Sequence, residues 1–114
     1  MKTNLLMVSL LVGHLALSQT IKCANGFFFD MISGKMSMNY NSLLAPYLYA
    51  NATKVYFDNL TWSHAKKAFV SSSTRSSVWL YPYKNGERAF SLKAKSGFYS
   101  LIEYKIDKCD KFPF

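Results

Sequence analysis

Two cysteines, Cys23 and Cys109, are too few for a four-cysteine zinc site. Only five glycines and three prolines occur, and no heptads are sustained, which excludes collagen-like, low-complexity and coiled-coil classes. No second long apolar run follows the one near the N-terminus, so the processed chain is expected to be soluble, with no membrane partner. Ser–His–Asp order, metal-ligand spacing and a phosphate-binding loop are all missing, and neither a metal nor a cofactor is expected. What is present argues for a folded domain. Half of the 114 residues are hydrophobic and 17% are aromatic, too much apolar surface for wholesale disorder. The length suits one domain, and 14 Lys and Arg against six Asp and Glu leave a net charge of +8.

Lys2 precedes an apolar stretch, Leu5 to Leu17, and Ala16-Leu17-Ser18 places small residues at the positions a signal peptidase reads. Residues 1–18 are therefore read as a secretory signal peptide and 19–114 as a single mature domain. The stretch is short for a membrane span of ~20 residues. Cleavage removes His14 and leaves His64 as the only histidine. Secretion gives the cysteines a role: near the two ends of the mature chain, in an oxidising compartment, Cys23 and Cys109 are expected to form one disulfide. A bridge enclosing nearly the whole domain is worth ~4–5 kcal/mol by chain entropy. Asn51-Ala52-Thr53 and Asn59-Leu60-Thr61 are N-glycosylation sequons.

Thr20 to Cys23 reads as extended, Asn25-Gly26 as a hairpin turn, and Phe27 to Phe29 as a second short strand. Ile32, Met36, Tyr40, Leu43 and Tyr47 recur at helical spacing behind a capping Asp30, which predicts a helix over 31–44 ended by Pro46. Residues 54–58, 77–83, 90–95 and 98–106 read as strands, with a turn at Asn85-Gly86 and an exposed serine-rich loop over 71–77. These elements predict an α+β domain: one α-helix packed across a central antiparallel sheet, whose other face is concave and partly open.

That order, with the ends joined by a disulfide, resembles the small fungal guanyl-specific ribonucleases. Pro46-Tyr47-Leu48-Tyr49-Ala50-Asn51 through Phe57 is similar to the family's segment Pro-His-x-Tyr-x-Asn-x-Glu-Gly-Phe-x-Phe. Leu80-Tyr81-Pro82-Tyr83, then Gly86 and Phe90, is similar to its Glu-Trp-Pro-Ile, turn, Gly, Tyr. Gly97 and the strand after it resemble its Gly-x-Asp-Arg-Val-Val-Phe. A closer likeness is to the RNase-like secreted effectors of powdery mildew fungi, which open on an aromatic-x-Cys motif and pair that Cys with one near the C-terminus. Here the motif is Ile21-Lys22-Cys23.

Cleavage of RNA through a cyclic phosphate needs a base, an acid and a cation to hold the phosphorane charge. By the resemblance, the first catalytic His is Tyr47, the catalytic Glu is Leu80, the guanine-reading Glu is Thr53, and the Arg is Ser100 or, with the register shifted by one, Leu101. The second His has no counterpart after Lys105. Only Tyr49, at the position of a base-stacking tyrosine, is kept. The resemblance thus implies a pseudo-ribonuclease without turnover. His64, Glu87 and Glu103 are the residual titratable candidates, each with an ordinary surface or packing role.

Lys93, Lys95 and Lys105, on neighbouring strands, are expected to form one stripe with Tyr49 and Tyr99 interleaved, which suits single-stranded RNA. Some of Tyr47, Tyr49, Tyr81, Tyr83 and Tyr99 are expected to be exposed, which would instead suit a protein partner. Three readings follow. The first is a monomeric secreted effector, translocated into a plant host, that binds host proteins or host RNA and is detected by an intracellular immune receptor. The second is an active secreted ribonuclease with relocated catalytic groups. The third is an unrelated disulfide-closed secreted module such as a small β-sandwich. The helix over 31–44 separates the first from the third.

Overall fold

The computed structural model describes residues 20–74, 76–83 and 87–111. The leader expected over 1–18, its cleavage point and the Asn85-Gly86 turn lie outside them. Every regular element among the described residues is a strand: β1 (Thr20–Lys22), β2 (Phe28–Asp30), β3 (Lys35–Asn39), β4 (Tyr49–Ala50), β5 (Lys54–Phe57), β6 (Thr61–Ser63), β7 (Ala68–Ser72), β8 (Ser76–Pro82), β9 (Phe90–Ser96) and β10 (Ile102–Ile106). They form two antiparallel sheets, one ordered β1-β2-β3-β5-β4 and the other β10-β9-β8-β7-β6.

The expected helix is absent, and the α+β architecture gives way to an all-β one. The reason starts at Asp30. Its Oδ1 accepts hydrogen bonds from Ile32 N at 2.9 Å and Ser33 N at 3.3 Å, and Gly34 N donates to Asp30 O at 2.8 Å. That makes one capped turn. Gly34 then enters the left-handed region at φ 75°, which ends the turn. The next five residues, Lys-Met-Ser-Met-Asn, alternate, and Met36 and Met38 bury their side chains on the inner face. As a strand they pair with β2 on one side and β5 on the other. The helical stripe does not exist as a surface: Ile32 is 72% exposed, and Tyr40 and Leu43 are exposed as well. Past β3 the chain turns again at Asn41, whose Oδ1 accepts from Leu43 N at 2.9 Å and Leu44 N at 3.3 Å. Those turns bury Leu44, Tyr47 and Leu48.

Elsewhere the agreement is partial, and strands β4, β6 and β7 were not expected. Asn25 (φ 61°) and Gly26 (φ 68°) both take left-handed backbone, which matches the twist of the β1–β2 hairpin they join. The serine-rich stretch is mostly strand, because β7 runs to Ser72 and β8 starts at Ser76. Ser73 N closes the hairpin on Ser76 O at 2.9 Å. The strand expected over 98–106 starts only at Ile102.

The core lies between the sheets rather than under a helix. Ile21, Phe29, Met36, Met38, Val55 and Phe57 of the first sheet and Phe69, Val78, Leu80, Phe90, Leu92, Ala94 and Ile106 of the second form one cluster. Phe29 is the link: its ring lies 4.8 Å from Phe69 and 6.5 Å from Phe90, edge-on to both. The inner face of the second sheet, expected to carry a helix, carries the first sheet instead. This is the two-layer solution for sheets apolar on one face.

The end of the chain fastens the layers. Cys23 and Cys109 are bridged across 86 residues of sequence. Beside the bridge, Ala24 N donates to Asp107 O at 2.9 Å, Asp110 N to Lys22 O at 2.8 Å and Lys22 N to Asp110 Oδ1 at 3.0 Å. The segment after β10 thus occupies backbone groups around edge strand β1 that would otherwise offer a pairing edge.

Candidate partner-binding surface

Alternation along β8 decides what faces outward. Val78 and Leu80 point into the core, so Trp79 and Tyr81 stand on the other face, and Tyr83 continues that parity. The register carries the row across the sheet. Trp79 lies opposite Val70 on one side and Lys93 on the other, and Lys93 opposite Glu103. One row on, Tyr81 lies opposite Ser91 and Ser91 opposite Lys105. In the remaining row Lys95 lies opposite Ser77.

Polar contacts organise this face. Lys93 Nζ sits 4.8 Å from the centre of the Tyr81 ring and Lys105 Nζ 4.9 Å from that of Tyr83, both in cation–π geometry. Lys105 Nζ also pairs with Glu87 Oε2 at 2.6 Å, and Ser91 Oγ donates to Glu103 Oε2 at 2.6 Å. The hydrogen bond that Lys105 donates to the Glu87 carboxylate raises the Lys105 pKa above its ordinary value of 10.5; the pair is open to water, so its contribution is small. Three ammonium groups therefore share the face with two carboxylates, one already paired with Lys105.

Lys93, Lys95 and Lys105 do share one sheet face, as expected, but the rings among them are Trp79, Tyr81 and Tyr83. Tyr49 belongs to the first sheet, in edge strand β4, with its ring 5.9 Å from Tyr56 and 5.6 Å from Phe57. Tyr99 lies past the end of β9, with its ring 5.7 Å from Tyr47. Trp79 escaped notice in the sequence. The signal was there, in the buried parity of Val78 and Leu80, which assigns every odd residue of β8 to the other side.

The positions that the ribonuclease resemblance matched to catalytic groups have structural surroundings. Tyr47 is buried and donates its hydroxyl to Ser100 O at 2.6 Å, while its own carbonyl accepts from Ser76 Oγ. Leu80 is in the core. Thr53 sits in the turn made by Asn51, whose Oδ1 accepts from Thr53 N at 2.9 Å, Thr53 Oγ1 at 3.2 Å and Lys54 N at 3.0 Å. Leu101 is exposed. His64 is exposed in the turn after β6, its ring 6.3 Å from Trp62. Among the described residues no group of three or more His, Cys, Asp or Glu is placed to hold a metal ion. Both sequon asparagines are exposed; Asn59 has φ 60° and its amide reaches Asp58 Oδ1 at 3.5 Å.

The fold these observations define is a disulfide-closed pair of five-stranded antiparallel sheets. No family model, no curated protein and no solved structure matches the chain.

Proposed function

We propose that this chain is a secreted, non-catalytic binding protein that recognises a protein partner through the outer face of β8, β9 and β10. The observation that carries the reading is the row of Trp79 and Tyr81 on β8 with Tyr83 just past its end, in which Lys93 lies over the Tyr81 ring and Lys105 over the Tyr83 ring. Aromatic residues presented in this way are the usual anchors of protein interfaces, because they bury much area at little cost in side-chain freedom. The charge balance favours a protein over RNA. A groove that tracks phosphates needs unopposed cations, and here Glu87 pairs with Lys105 while Glu103 stands opposite Lys93 in the register. The bridge between Cys23 and Cys109 supports an oxidising compartment, and with it secretion. The absent helix over 31–44 favours the third reading, a disulfide-closed β module, over a ribonuclease scaffold. A protein of a plant host, with an intracellular immune receptor among the candidates, is carried over from the powdery mildew resemblance only as the partner class to test.

The test uses the mature protein, wild type and Tyr81→Ala, against partners captured from host extract. A specific partner is expected to be lost on truncating Tyr81 or Trp79, each worth ~2 kcal/mol or more, with little dependence on salt. Saturable binding of labelled single-stranded RNA, falling with salt at a slope of ~−0.7 per phosphate contacted, would replace the protein partner with RNA. Ribonuclease turnover that survives purification and is abolished by His64→Ala would overturn the non-catalytic reading.

A further inference from the structure

At the far end of the second sheet from the disulfide, the β9–β10 connection presents a different surface. Ser96 builds it: its Oγ accepts from Phe98 N at 3.2 Å and Tyr99 N at 2.9 Å, and Ser96 N donates to Tyr99 O at 3.4 Å. The turn so fixed holds Phe98 out at 95% exposure, with Tyr99 at 52% and Leu101 at 54%. The segment is well bonded at its base, since Tyr47 ties down Ser100 O. Phe98 thus projects although the backbone around it is anchored.

Two adjoining pockets flank the turn and share Thr74, Ser96 and Gly97. One, of about 240 Å³, adds Pro46, Phe98 and Tyr99 and is mainly apolar. The other, of about 260 Å³, adds Ser73, Ser76, Ser77 and Lys95 and is mainly polar. Hydroxyls and an ammonium on one side, rings and a proline on the other, are complementary to an amphiphile with an anionic head. All six Asp and Glu residues lie among the described residues, and none lines either pocket. Lys95 makes no ion pair with a described residue.

We propose that the tip formed by Ser96 to Leu101 docks peripherally on an anionic phospholipid surface. Phe98 and Leu101 enter the headgroup–acyl boundary, and Lys95 with the serine and threonine hydroxyls takes a lipid phosphate. A convex apolar tip fits a fluid plane without needing a matching groove, and a neighbouring cation adds attraction to anionic leaflets. Such docking runs against the expectation that the processed chain has no membrane partner, and the vesicle experiment decides between them. Among the described residues no helix is long and apolar enough to cross a membrane, and a docking tip needs none.

The test is sedimentation of the mature, disulfide-bonded protein with vesicles of phosphatidylcholine alone or mixed with phosphatidylserine. The expected result is binding that requires phosphatidylserine, falls about tenfold or more in Phe98→Ser and several-fold in Lys95→Glu, with thermal stability unchanged in both. Tyr81→Ala is expected to bind vesicles like wild type, which keeps this outcome separate from that of the β8 face. Binding unaffected by Phe98→Ser, or none to either vesicle, overturns the proposal. So does protection of Lys95 from acylation by inorganic phosphate with no vesicle binding, which would make the polar pocket a free-phosphate site.

Discussion

In the second sheet each strand bonds to its neighbours in sequence, β6 through β10 in order, whereas in the first sheet β5 slips between β3 and β4. The strands differ too: β8 and β9 have seven residues each, while β1 and β2 have three and β4 has two. A meander built around two seven-residue strands closes small loops and sets its register there from alternation and turns. A sheet of two- to five-residue strands cannot. Its members gain their burial from the layer they pack against, so the first sheet depends on the second and on the bridge that joins them.

The largest way to break that dependence is at the disulfide. Reduction, or Cys109→Ser, is expected to cost ~4–5 kcal/mol, and the loss should be seen as a large drop in melting temperature. Free thiols in oxidised protein purified from a secretory host would contradict the bridge. Phe29→Ala comes next. It removes the ring that touches both Phe69 and Phe90 across the layers, and urea denaturation is expected to show a loss of ~3–5 kcal/mol.

A glycine pair sharpens the contrast between connections. At Gly34 the φ is 75°, and an added Cβ would stand 2.6 Å from the Leu60 carbonyl oxygen. Gly34→Ala is expected to cost ~1–3 kcal/mol. Gly97 has open space where its Cβ would be, so Gly97→Ala should stay within ~0.5 kcal/mol of wild type. Equal losses at the two positions would mean that the connections of the two sheets are equally constrained.

The smallest effect concerns Lys105. Glu87 raises its pKa, so whatever the pair adds to stability is present at neutral pH, below the unfolded value of 10.5. It is lost as pH rises through the higher folded value. Glu87→Gln is expected to bring the Lys105 titration down towards 10.5 in an NMR experiment while leaving the melting temperature at pH 7 nearly unchanged.

The same contrast explains what was readable in the chain. Residues 77–83 and 90–95 alternate over whole strands, and the β8–β10 part of the second sheet followed from them. Around Met36 two periodicities overlap. Met36 and Met38 alternate over only five residues, while Ile32, Met36, Tyr40, Leu43 and Tyr47 carry a longer helical spacing. Counting matches favours the helix, but Gly34 and backbone partners in the two flanking strands, β2 and β5, favour the strand. The surface was half legible for a similar reason. Lys93, Lys95 and Lys105 share a face because of strand parity, which sequence shows. Tyr49, which the sequence places on that face, belongs to the other sheet, and no local pattern distinguishes sheet membership.

Alternation, turn chemistry and the two cysteines were enough by themselves to determine the β1–β2 hairpin, strands β5, β8 and β9, most of β10, and the covalent closure of the chain. Each of these rests on contacts between near neighbours or on a chemistry with one available partner. The tertiary structure alone decided that Lys35–Asn39 is a strand, that β5 enters between β3 and β4, and that a second sheet rather than a helix covers the core. Those choices are made by backbone groups and apolar faces far apart in sequence. A five-residue segment has too few internal contacts to fix its own conformation, and takes the one that completes its neighbours' hydrogen bonds and buries its two methionines.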